Sequence, residues 1–149
     1  MLHVFCITVT ALAGCATYSE TPRLKQVVST SAAPEAIGPY SQAIRYGNLV
    51  FLSGQLAIDP NSGQFKADSS VEEQTRFAMD NLSAVLKASG MSMDNVLMAT
   101  VYLTDMNDFP KVNKVYGSYF KDGAPARATV AVAQLPKNAK VEISMIAGK

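Results

Sequence analysis

The chain reads as an α+β domain in which two helices cover one face of a single mixed β-sheet, and three observations predict it. Six short segments are rich in strand-forming residues and two carry helical spacing, in the order β-β-β-α-β-α-β-β. The segment Val96 to Thr104 is apolar at both parities, the pattern of a central strand covered on both sides. Two helices interleaved with strands pack most economically as one layer on one sheet. At 149 residues, 48% apolar and 17% charged, the chain suits a single core, and no second domain is expected.

Lys25 to Thr30, Ala43 to Tyr46 and Leu49 to Ser53 read as a small meander, with Gly47-Asn48 as the tight turn joining the last two. Asp59-Pro60-Asn61-Ser62-Gly63 marks an exposed loop. Val71 to Ser89 places Val71, Ala78, Leu82, Val85 and Leu86 near helical spacing, opens with the capping-box pattern Ser70-x-x-Glu73 and stops at Gly90. After the central strand, Asp108 is placed to cap a second helix with Pro110 in its first turn, running to about Phe120 and ended by Lys121-Asp122-Gly123. Ala128 to Leu135 and Lys140 to Ala147 close the sheet.

Two helices leave the opposite sheet face uncovered. Many of Val101, Leu103, Val130, Val132, Ile143 and Met145 are expected there, too much apolar surface to stay wet on a monomer, so oligomerisation is expected. The seven Met read as core filling.

Thirteen Lys and Arg against twelve Asp and Glu are evenly spread. No basic stripe of the kind that neutralises phosphates is present, which argues against nucleic acid as the main partner.

The first fixed charge is Glu20, and the mostly apolar run Leu2 to Ala13 leads into Leu12-Ala13-Gly14-Cys15, which resembles a bacterial lipobox. A short apolar region ending in small residues predicts a lipoprotein-type signal over 1–14, a lipidated Cys15, a tether over 15–23 and the folded domain over 24–149. That leader carries only its amino terminus and His3, with no Lys or Arg, so an upstream start or an apolar segment without export function stay open. Ala16 is not the Asp that retains many lipoproteins in the inner membrane, so the periplasmic face of the outer membrane is the expected place. A cytoplasmic location follows if the signal is inactive. Cleavage would remove Cys6 and His3 and acylate Cys15. The mature chain could then run neither a Ser-His-Asp nor a Cys-His mechanism, and it would lack the ligands zinc favours. Neither metal nor cofactor is expected.

Two charges stand out: Arg127, after Pro125-Ala126 at a strand mouth, and Glu142, inside the last strand. An unpaired buried ion costs several kcal/mol or more, so each needs a partner or a ligand unless it is a solvated edge residue. A bound carboxylate would satisfy the Arg.

Four motifs agree with that. Ala36-Ile37-Gly38-Pro39-Tyr40-Ser41-Gln42, Leu52-Ser53-Gly54-Gln55, Asn107-Asp108-Phe109 with Asn113, and Leu135-Pro136-Lys137 occur in the order and spacing of the Rid (reactive intermediate deaminase, YjgF-type) family, and Pro125 to Ile143 resembles its signature. The resemblance covers about residues 24 to 149. It implies a chorismate-mutase-like fold, a homotrimer with clefts between subunits, and cofactor-independent hydrolysis of short enamine and imine acids, such as 2-aminoacrylate and 2-aminocrotonate, to 2-oxo acids and ammonia.

On that resemblance Arg127 holds the substrate carboxylate, which suits a planar guanidinium able to donate two parallel hydrogen bonds, and Glu142 moves protons for the attacking water. Tyr40 matches the cleft tyrosine, or is an aromatic lid packed on its loop. Ser53 and Gly54 match a Ser-Gly turn that touches the ligand, or simply end a strand. Asn113 is a ligand contact or part of a polar helix face. Thr129 stands where many relatives carry Cys; it keeps a hydroxyl for binding and excludes thiolate chemistry. Ser144, where relatives often carry a second Glu, is expected on the solvent side. The competing readings are a trimer that binds small carboxylates or acts as a chaperone without turnover, and an envelope scaffold with a partner protein.

Overall fold

The computed structural model describes residues 24–149, and the leader, Cys15 and tether expectations lie outside the described residues. At the first helix the chain follows its local signals closely. The Ser70 hydroxyl accepts from the Glu73 amide at 3.2 Å while the Glu73 carboxylate accepts from the Ser70 amide at 3.3 Å, so the capping box is formed and α1 (Val71–Ala88) starts there. Gly90, at φ 72°, turns the chain out of α1.

Before α1 come β1 (Gln26–Val28), β2 (Ala43–Tyr46) and β3 (Leu49–Gln55); after it come β4 (Val96–Leu103), α2 (Phe109–Gly117), β5 (Ala126–Ala131) and β6 (Val141–Gly148). The sheet order is β1-β2-β3-β6-β4-β5. The β4-α2-β5 crossover returns the chain parallel to β4, and every other pairing is antiparallel, so the sheet is mixed, as predicted.

Strict alternation along β6 sets the layers. Val141, Ile143, Met145 and Ala147 are buried, and they join Val101 and Leu103 of β4 and Met79, Leu82, Val85 and Leu86 of α1 in one core. This corrects the sequence expectation: Val101, Leu103, Ile143 and Met145 lie on the helix-covered face. Past the register shift between Val96 and Met98, β4 within one copy is likewise buried at one parity only, with Met98, Thr100 and Tyr102 half-buried on the other. The open face carries Phe51 and Val130, both 43% exposed, with Leu49, Ile146 and Tyr102 in the same parity rows.

Other differences are local. β1 stops at Val28 because the Gln42 side chain takes both Thr30 backbone groups, accepting from its amide at 2.6 Å and donating to its carbonyl at 3.0 Å. Asp108 does not cap α2. It lies in a 3-10 turn, Met106–Asp108, capped by Asp105, and its carboxylate takes Lys111 Nζ at 3.1 Å instead. α2 ends at Gly117, since the amides of Ser118, Tyr119 and Phe120 each bond three residues back in 3-10 fashion. β5 begins two residues earlier than predicted, opposite Met98, and leaves the ladder after Ala131, so Arg127 lies inside an edge strand and not at its mouth.

Candidate functional site

Glu142 points to the open face of β6, opposite Tyr102 of β4. A register shift in the β3-β6 pairing between Leu52 and Gln55 brings Gly54 beside it. A Cβ built on Gly54 would overlap the Glu142 carboxylate and stand 2.8 Å from its Cδ, so glycine here leaves the carboxylate room in the position it holds. A half-open cavity of about 390 Å³ forms here, walled by Glu35, Ile37, Tyr40, Ser53, Gly54 and Glu142 among others, with Leu56, Ile58 and Pro136 on its apolar side. A second hollow shares Ser53, Gly54 and Glu142 and adds Tyr102, Leu135 and Ser144, so Ser144 is half-buried beside the candidate site and not simply solvent-facing.

Desolvation pushes the Glu142 carboxyl above the usual carboxylate range. A carboxylate whose ionised form is disfavoured is a stronger base, suited to accept a proton and return it. The same shift bears on stability: the fold disfavours the ionised form, so the contribution is full below the unfolded-state pKa and is lost as pH rises through the raised value. Glu142→Gln should therefore melt higher than wild type at neutral pH, and the gap should close in acid. A thermal melt series across pH checks it, and a gap that widens in acid refutes it.

The neighbours are held by the loop before β2. Gln42 is buried and also donates to the carbonyls of Ala33 and Pro34. The Tyr40 hydroxyl accepts from the Ile37 amide at 3.2 Å, and Tyr40 is 47% exposed, so it is a rim residue anchored to its own loop. The Ser53 hydroxyl donates to the Ser41 carbonyl at 2.7 Å and ties β3 to that loop. Its donor is already engaged.

Arg127 lies elsewhere. It pairs with Ala99, whose partner across β4 is Met145, and so belongs to the helix-covered face. There its Nη2 donates to Asn113 Oδ1 at 2.8 Å, and its guanidinium carbon stands 4.6 Å from the Tyr116 ring centre and 5.5 Å from that of Phe109. Thr129 pairs with Val101 on this same face, half-buried beside the core. One copy thus gathers Tyr40, Ser53, Gly54 and Glu142 on one side of the sheet and Arg127, Asn113 and Thr129 on the other. Sequence reasoning missed Tyr116 and gave Phe109 no role; their signal was the i, i+4, i+7 spacing of Phe109, Asn113 and Tyr116 on α2.

Among the described residues no group of three or more His, Cys, Asp and Glu is arranged to hold a metal ion. No described helix is long and apolar enough to cross a membrane.

The family model described as endoribonuclease L-PSP matches residues 30–149. The chain is 48% identical over 124 residues to the 2-iminobutanoate/2-iminopropanoate deaminase of Mus musculus, covering 83% of this chain and 91% of that one. It is 49% identical over 127 residues to the RutC family protein PH0854 of Pyrococcus horikoshii, covering 85% and 99%. The crystal structure of E. coli TdcF with bound serine superposes with a TM-score of 0.79 at 38% identity, covering 83% of this chain and 98% of that one.

Proposed function

The chain belongs to the Rid/YjgF/L-PSP family, and from that premise we propose that it hydrolyses short enamine and imine acids to 2-oxo acids and ammonia. The observation that carries this reading is Glu142, a half-buried carboxylate with a raised pKa in a cavity cleared for it by Gly54. Among the described residues the cavity wall offers two carboxyls, Glu35 and Glu142, and no Lys or Arg, which disfavours a polyanionic substrate such as RNA.

The missing cation comes from a second copy. Because Arg127 and Glu142 face opposite sides of one sheet, they serve one ligand when the open face of one subunit meets the Arg127 edge of another, in a homotrimer with three shared clefts. Arg127 then holds the substrate carboxylate. Glu142 takes a proton from water as the water oxygen bonds to the carbon of the protonated imine, giving a neutral carbinolamine. Return of that proton to the nitrogen makes ammonia the leaving group. As the C–N bond breaks the hydroxyl gives its proton to Glu142, which passes it to the departing ammonia, so protonated imine plus water becomes 2-oxo acid plus ammonium. An enamine enters the same route after protonation at its β-carbon.

The test is release of ammonia and 2-oxobutanoate from freshly generated 2-aminocrotonate, at a rate unchanged by chelator; binding without turnover would favour a carboxylate-binding trimer instead. Leu12-Ala13-Gly14-Cys15 supports anchoring of the protein at the periplasmic face of a membrane by lipid on Cys15. The mass of the mature amino terminus checks it, and an intact Met1 with unmodified Cys15 would place the activity in the cytoplasm.

A further inference from the structure

Arg127 does not stand alone, and what surrounds it is built from one stripe of α2. Phe109, Asn113 and Tyr116 follow one another at i, i+4 and i+7, so all three present to the same neighbour. The guanidinium lies over the Tyr116 ring at 4.6 Å and the Phe109 ring at 5.5 Å while Asn113 Oδ1 receives its Nη2. Tyr116 is 3% exposed and its ring packs against Phe120 at 4.8 Å, so this platform cannot swing away.

The Tyr116 hydroxyl is buried and has no hydrogen-bond partner among the described residues. A core tyrosine kept for its polar end would have its hydroxyl satisfied. Here the ring, and not the hydroxyl, makes the contact that matters. Asn113 adds a second constraint. Its amide oxygen accepts one N–H and fixes rotation of the guanidinium in its own plane, yet it brings no negative charge to neutralise it. Of the five N–H donors of an arginine, Nη2 has the one side-chain partner found among the described residues.

We propose that Tyr116 and Asn113 are positioning residues that hold Arg127 flat, charged and with donors to spare, so that the anchor for a small carboxylate is set before the ligand arrives. This rests on the function proposed above and names how its carboxylate site is made selective. A long arginine side chain normally loses rotamer freedom on binding; here that loss is taken at folding, and the benefit appears as affinity.

The test compares wild type with Tyr116→Leu, Tyr116→Phe and Asn113→Asp in steady-state turnover of 2-aminocrotonate and in calorimetric binding of 2-oxobutanoate. Tyr116→Leu should raise KM about tenfold, in keeping with loss of a desolvated cation–π stack, with kcat within about twofold. Tyr116→Phe restores the ring and should restore KM, and its melting temperature should match or exceed wild type because an unsatisfied buried hydroxyl is gone. A purely structural role would move Tm and total activity and leave KM alone.

Asn113 is exposed, so Asn113→Asp should fold even if Tyr116→Leu does not. Its carboxylate would occupy the Arg127 fork and should raise KM and the 2-oxobutanoate Kd by tenfold or more, an effect weakened by salt. Unchanged KM and Kd in Asn113→Asp, or in a folded Tyr116→Leu, overturns the inference. If wild type binds 2-oxobutanoate without turning over the enamine, the deaminase reading fails while Kd in the same variants still decides this one. Neither binding nor turnover in wild type overturns both.

Discussion

Arg127→Ala and Glu142→Gln, each inactive alone, should together recover about a quarter of wild-type turnover when unfolded, mixed in equal amounts and refolded, because random assembly gives each shared cleft an even chance of either intact partner. The single variants set the contrast. Removing Arg127 costs two charge-assisted hydrogen bonds to the substrate carboxylate, at about 1.5–3 kcal/mol each, which is a hundredfold or more in kcat/KM. Glu142→Gln keeps the shape of the side chain and removes the proton carrier, so kcat should fall with KM little changed. Recovery has one physical source: no copy in the mixture holds both groups, so a working site must draw on two. A mixture as inactive as its components would show that a single subunit supplies both.

Phe51→Asp should abolish assembly and turnover together. Phe51 lies on β3 opposite Ile146, on the sheet face that no described helix covers, and is 43% exposed in one copy. A charge there is solvated in the isolated subunit and costs its own fold little, since Val50 and Leu52 on either side keep the core contacts. In the proposed trimer the same carboxylate would be stripped of water three times over, at several kcal/mol each, while the gain from burying each Phe, about 1.5–3 kcal/mol, is lost. Size measurement in solution should show a folded monomer with no enamine turnover. A trimer retained at micromolar concentration would mean that the open face is not the interface.

The sequence made the elements legible, because the signals that start and stop them are local. Ser70 and Glu73 are three residues apart, Gly90 ends its helix one turn past Leu86, and Gly47-Asn48 closes a hairpin by itself. The faces were harder to read. β4 is apolar at both parities, so its own residues do not say which side meets the helices; that is settled by β6, inserted between β3 and β4 from the far end of the chain. Placing Val101 and Ile143 on the open face was a failure of parity, not of hydrophobicity. Among the boundaries that slipped, the one at Val28 did so because the Gln42 side chain competes for the Thr30 backbone groups, and at Asp108 the helix starts as read while the cap is lost because its carboxylate takes Lys111; nothing in a propensity argument ranks such competitors. For the candidate site, the sequence named Tyr40, Ser53, Gly54 and Glu142 together with Arg127, Asn113 and Thr129, and the structure puts only the first four around one cavity; that separation was not legible, since it depends on which face of the sheet each residue takes.

The close approach of Gly54 to Glu142 carries a consequence for how this protein can change over generations. A side chain at position 54 overlaps the carboxylate where it now stands, and every overlapping atom belongs to the Glu142 side chain, so a mutation there turns the carboxylate aside while leaving the strands in place. The cost falls on where the carboxylate sits, and it vanishes once position 142 has become small. The two positions are therefore expected to change together: a lineage that loses the carboxylate is free to fill position 54, and a Glu regained at 142 then sits elsewhere until glycine returns.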